Sequence, residues 1–138
     1  MDPKTTIKKN IQRRTVIVDQ KIDLHKGVPI PTWVELSLID VCNRTCSFCP
    51  KSDANIAPNT YNKMEFTLID KMIKDFKEIN FEGAFTFCGY GEPLLHPHVA
   101  KIAKKIGEFW GVEIVTNGDP LNKKNLTELY YSKVSKII

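Results

Sequence analysis

Three of the four cysteines in this chain lie close together in the segment DVCNRTCSFCP, at Cys42, Cys46 and Cys49. The fourth, Cys88, lies far along the chain, so the four do not form the framework of a disulfide-stabilised fold. Three thiolates on one flexible loop can point to a common centre, as an iron–sulfur cluster requires. Three ligands for four irons leave one iron open, which is typical of a catalytic metal centre.

The polar residues between these cysteines could donate hydrogen bonds to the sulfides of such a cluster. They are Asn43, Arg44 and Ser47. The competing interpretation is a structural zinc site, whose fourth ligand would be Cys88, His96 or His98. The C-x3-C-x2-C spacing lacks the paired C-x2-C knuckles of common zinc modules, which favours the cluster.

The cysteine loop directly follows a predicted strand. Trp33, Glu35 and Ser37 alternate with Val34, Leu36 and Leu38, which is the period of a strand with two different faces. A helix with a capping box formed by Thr67 and Asp70 follows the loop. Further strands are predicted in AFTFC, VEIV and the final SKII, with helices in HVAKIAKKIGEFW and NLTELYYSKV between them.

The resulting order, βαβαβαβ, predicts an α/β fold with parallel strands and outer helices. A complete (β/α) barrel takes about 250 residues, so the region after Pro31 amounts to about three and a half units. We therefore expect a partial (β/α) barrel, truncated at this point, in residues 32–138. Residues 1–31 are predicted to be an N-terminal extension with a short hairpin in TVIVDQKIDL, after which HKGVPIPT breaks regular structure.

The loops at the carboxyl ends of parallel strands converge on one site. GYGEP follows the second predicted strand and TNG the third, so both should meet the cysteine loop. Each motif also has a structural interpretation: Glu92 could start a helix, and Thr116 and Asn117 could form a turn. His96 and His98 are predicted to be partly exposed capping residues, and Glu35 and Ser37 could contact substrate or simply face solvent.

The cysteine segment with Phe48 before the third cysteine, together with GYGEP and VTNG, resembles the radical S-adenosylmethionine (radical SAM) enzymes. The resemblance covers residues 33–138, which would be the N-terminal half of the core domain. LSLIDVCNRTCSFCP and FCGYGEPLLHP are similar to the group that carries an additional C-terminal iron–sulfur (SPASM) domain. A missing C-terminal half or a second chain would then complete the enzyme.

The resemblance implies a [4Fe-4S] cluster held by Cys42, Cys46 and Cys49, with S-adenosyl-L-methionine on the open iron. Reductive cleavage of that cofactor would give a 5′-deoxyadenosyl radical, which abstracts hydrogen from an unknown substrate, a peptide or a small molecule. The resemblance also places Phe48 by the adenine of the cofactor. It places Tyr90, Gly91 and Glu92 by the methionine amino group. Thr116 and Asn117 would line the same pocket. A flavodoxin or ferredoxin would supply the electron. The alternative is a protein that is not an enzyme, a noncatalytic iron–sulfur module.

Composition supports a globular protein, because 42% of the residues are hydrophobic and 26% are charged. No apolar run approaches the roughly 20 residues that span a bilayer, and the N-terminus lacks the apolar part of a signal peptide. We therefore expect a cytoplasmic protein without a membrane partner. The basic residues near the N-terminus predict a solvated extension rather than a nucleic-acid site. They are Lys4, Lys8, Lys9, Arg13 and Arg14.

Overall fold

The computed structural model describes residues 24–138 and, of the residues before them, Gln12 alone. Of the hairpin predicted in TVIVDQKIDL, every residue but Leu24 therefore lies outside the described residues. The domain boundary after Pro31 stays a prediction.

A hairpin forms in HKGVPIPT, where glycine and proline predict irregular structure. Strand β1 (Leu24–His25) pairs antiparallel with β2 (Val28–Pro29). The two residues between them, Lys26 and Gly27, have φ values of 52° and 81°, as the type I′ turn of a tight hairpin requires. The prediction of irregular structure is wrong here, because proline is tolerated on an edge strand and Gly27 permits the turn.

A four-stranded parallel sheet with the order β3-β4-β5-β6 forms the centre of the fold. A helix lies between each pair of successive strands, so the predicted α/β architecture is confirmed. The strands are β3 (Trp33–Leu36), β4 (Ala84–Phe87), β5 (Gly111–Ile114) and β6 (Val134–Ile137), and the helices are α1 (Phe66–Glu78), α2 (Val99–Gly107) and α3 (Lys123–Tyr131).

The helices cover one face of this sheet. Every second residue of the central strands is fully buried, and these side chains join buried residues of all three helices in one hydrophobic core. The fully buried members are Phe85, Phe87, Val112 and Ile114 from the strands, with Ile69, Ile102, Ala103, Ile106 and Leu129 from the helices.

The other face of the sheet carries a polar residue on every strand. Glu35 is paired in register with Thr86, Thr86 with Glu113, and Glu113 with Lys136. Thr86 and Glu113 are buried, whereas Glu35 at the edge is exposed. The alternation predicted for β3 is confirmed, since Leu36 and Leu38 are buried on the helix side.

Helix α1 begins at Phe66, so Thr67 lies inside the helix and the predicted capping box with Asp70 is wrong. The chain stays extended up to this point because the amide of Met64 donates to the carbonyl of Leu38, 2.8 Å away, beside the end of β3. A capping box does form at α3, between Asn122 and Asn125. None of the helices in residues 24–138 is long and apolar enough to cross a membrane.

Candidate active site

Three loops meet at the carboxyl edge of the sheet, as the parallel topology predicts. They follow β3 (residues 37–65), β4 (residues 88–98) and β5 (residues 115–122). The amide of Glu92 in the second loop donates to the carbonyl of Val41 in the first, at 2.8 Å. The amide of Asn117 in the third loop donates to the Glu92 carboxylate, also at 2.8 Å. The three predicted motifs therefore lie in direct contact.

The three clustered cysteines are free thiols and are half-buried. The amide of Cys49 donates to the carbonyl of Cys46 at 2.9 Å, and a short 3-10 helix then runs over Pro50–Ser52. The side chain of Asn59, on the returning part of the loop, both donates to the carbonyl of Cys42 and accepts from its amide, each at 3.2 Å. This pair of hydrogen bonds joins the first cysteine to the returning part of the loop.

Two donors approach the sulfur of Cys42. Its Sγ accepts a hydrogen bond from the amide of Arg44 at 3.4 Å and one from Nδ2 of Asn117 at 3.8 Å. The first donor belongs to the cysteine loop, whereas the second comes from the loop after β5. Donors of this kind suit an anionic sulfur ligand.

Glu92 is buried, with 2% of its surface exposed. One carboxylate oxygen accepts from the amide of Leu94 at 2.9 Å and from the hydroxyl of Thr116 at 2.7 Å. The other accepts from the amide of Asn117. Glu92 therefore caps the short helix Pro93–Leu95, the structural role considered above, and also connects the second loop to the third.

Gly91 packs directly against the beginning of the loop that follows β3. A Cβ placed on Gly91 would overlap the carbonyl oxygen of Ile39, so no larger residue fits there without movement of the backbone. The preceding Gly89 has a φ of 120° and faces the side chain of Ser37. Both glycines bring the GYGEP turn close to the cysteine loop.

Two aromatic residues of the predicted cofactor site are open to solvent. Phe48, within the cysteine loop, is 90% exposed, and Tyr90, within GYGEP, is 63% exposed. Large aromatic surfaces cost free energy when they face water. Both rings are therefore available to contact a ligand at this edge.

Sequence reasoning missed Asp119, which links the first and third loops alongside Asn117. Its carboxylate accepts from Nε of Arg44 at 2.7 Å and from Nδ2 of Asn43 at 3.0 Å, and it pairs with the second guanidinium nitrogen. The hydrogen bonds from Arg44 lower the pKa of Asp119 below its ordinary value. An acid directly after the Asn117-Gly118 turn was the available signal.

The histidine prediction needs a correction, because His96 is buried and 3% exposed. Its Nε2 lies 3.2 Å from the carbonyl of Met64, and its Nδ1 accepts from the amide of His98 at 3.1 Å. Burial lowers the pKa of His96. With both nitrogens engaged, His96 is poorly placed to complete a zinc site. His98 is exposed and precedes α2 without a side-chain cap, while Glu35 and Ser37 are exposed.

A family model described as the radical SAM superfamily matches residues 36–137. The chain belongs to the radical SAM superfamily.

Two relatives with assigned activities are similar to this radical SAM chain. The S-adenosyl-L-methionine-dependent 2-deoxy-scyllo-inosamine dehydrogenase of Niallia circulans is 30% identical over 110 residues, which cover 78% of this chain and 43% of that enzyme. The GTP 3′,8-cyclase of Microcystis aeruginosa is 33% identical over 106 residues, which cover 72% of this chain and 30% of that enzyme.

Solved structures of BtrN share the fold. BtrN in complex with AdoMet and 2-DOIA superimposes with a TM-score of 0.69 and 28% identity, over 77% of this chain and 44% of BtrN. Selenomethionine-labelled BtrN in an open conformation gives a TM-score of 0.66 over 77% of this chain and 48% of that one. The chain spans less than half the length of each of these relatives, as a partial barrel would.

The donor set of this radical SAM chain suits an iron–sulfur cluster. Three free thiols lie on one loop, and amide donors already approach one of them. Within residues 24–138, no three His, Cys, Asp or Glu side chains are yet arranged to hold a metal ion.

Proposed function

We propose that this chain forms the cluster-binding part of a radical SAM enzyme, with Cys42, Cys46 and Cys49 as the ligands of a [4Fe-4S] cluster. The observation that carries the proposal is the meeting of the cysteine loop with the GYGEP and TNG loops at one edge of the sheet. When bound, a [4Fe-4S] cluster and S-adenosylmethionine together supply a 5′-deoxyadenosyl radical that removes hydrogen from a substrate.

The exposed surface of the same edge would bind S-adenosylmethionine. Phe48 and Tyr90 offer exposed rings to the adenine and the methionine chain, and the backbone around Gly91 offers polar groups. The Glu92 carboxylate is occupied by three internal donors, so it would act mainly by holding the turn and Asn117 in place. Thr116 and Asn117 would complete the wall of this pocket.

The substrate we propose is a small molecule with several hydrogen-bonding groups. The two relatives are named for an inosamine and for GTP, and both names describe polar small molecules rather than peptides. In this chain, the face of the sheet opposite the helices carries a polar side chain on each strand, which suits such a substrate. An electron donor such as flavodoxin or ferredoxin, and membership of the SPASM group, stay predictions.

The test is anaerobic reconstitution of the chain with iron and sulfide, followed by metal analysis and electron paramagnetic resonance of the reduced protein. We expect a [4Fe-4S]⁺ signal that changes when S-adenosylmethionine is added. The Cys46→Ala variant should lose the signal, while Cys88→Ala, the matched control outside the loop, should retain it. Zinc without iron in the purified chain would contradict the proposal. A signal that does not respond to S-adenosylmethionine would favour a noncatalytic cluster carrier.

A further inference from the structure

The loop after β5 contacts the cysteine loop through two adjacent connections. In the first, Asp119 accepts from both the guanidinium of Arg44 and the side-chain amide of Asn43. In the second, the Nδ2 group of Asn117 donates to Oδ1 of Asn43 at 2.9 Å and approaches the sulfur of Cys42. We call these two connections the β5 clamp. It joins residues that are 74 to 76 positions apart in sequence, so it depends on the fold.

The side-chain amide of Asn117 is held in position by hydrogen bonds of its backbone amide, its Oδ1 and its Nδ2. Its backbone amide donates to Glu92, whose carboxylate is buried, and its Oδ1 accepts from the amide of Asp119 at 3.0 Å. The two hydrogens of its Nδ2 then have separate acceptors, the oxygen of Asn43 and the sulfur of Cys42. A side chain with every polar group engaged has little freedom to turn away from the sulfur.

We propose that Asn117 and Asp119 are positioning residues for the cluster: they hold the cysteine loop against β5, and Asn117 donates to the sulfur of Cys42. The inference that Asn117 influences the reduction potential of the cluster rests on the proposed function. A hydrogen bond to a ligand sulfur stabilises the more negative, reduced cluster, so it raises the reduction potential. The positioning part concerns contacts that exist without a cluster.

The simpler interpretation is an ordinary surface ion pair, which contributes little. The side chains of Arg44 and Asp119 are 46% and 41% exposed, so exposure alone favours this view. A comparable pair, Lys105 with Asp70, is 43% and 55% exposed and connects α1 with α2 away from the site. It is the matched control, because neutralising it removes an exposed ion pair without affecting the cysteine loop.

The first experiment measures hydrogen–deuterium exchange in the metal-free chain. Asn117→Ala and Asp119→Asn should each speed exchange of the amides in residues 41–52 several-fold, because each variant weakens one of the two connections between the cysteine loop and the loop after β5. Asp70→Asn should leave exchange there unchanged. Combining Arg44→Asp with Asp119→Arg should restore part of the protection. Wild-type exchange in both single variants would overturn the positioning role.

The second experiment follows the reduction of the reconstituted cluster by electron paramagnetic resonance. We expect Asn117→Ala to bind iron but to show a more negative midpoint potential than wild type, and Asp70→Asn to match wild type. A purely structural residue would change occupancy without changing the potential of the cluster that remains. An unchanged potential in Asn117→Ala would overturn the sulfur-donor role. If the wild-type chain takes up no iron, both the proposed function and the sulfur-donor role of Asn117 are refuted. The hydrogen–deuterium exchange experiment would still decide whether Asn117 and Asp119 position the cysteine loop.

Discussion

Replacing Glu92 with glutamine tests whether this carboxylate is committed to the protein itself. Glutamine has nearly the same shape but only one acceptor oxygen. If that oxygen keeps the bonds from Leu94 and Thr116, the new amide group must face the backbone amide of Asn117, a donor opposite a donor. The variant therefore loses one charge-assisted hydrogen bond and leaves a half-buried donor unpaired.

The size of the effect follows from these contacts. A hydrogen bond to a charged group contributes about 1.5–3 kcal/mol to stability. An unsatisfied buried donor costs about 1–3 kcal/mol, and the half-buried amide of Asn117 would incur part of this cost. Because the two terms overlap, we expect Glu92→Gln to lower the free energy of unfolding by about 2–4 kcal/mol. This would be a large part of the roughly 5–15 kcal/mol that stabilises a typical domain.

The assay is urea denaturation of the metal-free chain, followed by far-ultraviolet circular dichroism. Glu82→Gln is the control, since Glu82 is an exposed glutamate and its variant should stay within about 0.5 kcal/mol of wild type. A double-mutant cycle with Thr116→Val should show coupling of about 0.5–3 kcal/mol between two residues in contact. If Glu92→Gln unfolds like wild type, the carboxylate is not held as described and would be free to face a ligand.

Three further predictions each concern a single residue. Thr86→Val should leave the free energy of unfolding unchanged or raise it by up to about 1–2 kcal/mol, because the buried hydroxyl of Thr86 has no hydrogen-bond partner within the described part of the chain. The same change at Thr116 should lower the free energy of unfolding, and equal losses at both positions would refute the distinction. Gly91→Ala should impair both folding and iron uptake, measured by denaturation and metal analysis, because its Cβ would overlap Ile39; normal behaviour would contradict the close packing. Burial lowers the pKa of His96, so the unfolded chain binds more protons than the native chain as pH falls through about 6.5. The free energy of unfolding should therefore fall below neutral pH, by at most about 1.4 kcal/mol per pH unit from this group, and His96→Gln should flatten that part of the profile.

Much of the fold could be predicted because it depends on short-range periodicity. The alternation from Trp33, the helical spacing after Phe66 and the order of strands and helices are all visible in the sequence, and together they require a parallel sheet. Parallel topology also predicts that the cysteine, GYGEP and TNG loops lie at one edge. The observed contacts among these three loops agree with this consequence of parallel topology.

The errors occur where distant backbone groups determine local structure. The start of α1 depends on the bond between Met64 and Leu38, after which the helix begins at Phe66, before the Thr67 cap that the sequence pattern predicts. The burial of His96 depends on the carbonyl of Met64, 32 positions earlier in the chain. In HKGVPIPT, the hairpin depends on two consecutive left-handed residues, of which only Gly27 is typical of such a turn.

The sequence by itself determined which thiols could bind a metal and that they follow the first strand of a parallel sheet, because spacing and hydrophobic period are local properties. The tertiary structure alone decided what surrounds those thiols. Asp119 meets Arg44, and Asn117 meets Cys42, across 75 positions of chain in each case. Hydrogen bonds act only over a few ångströms, a distance that only the folded arrangement of β3 and β5 supplies.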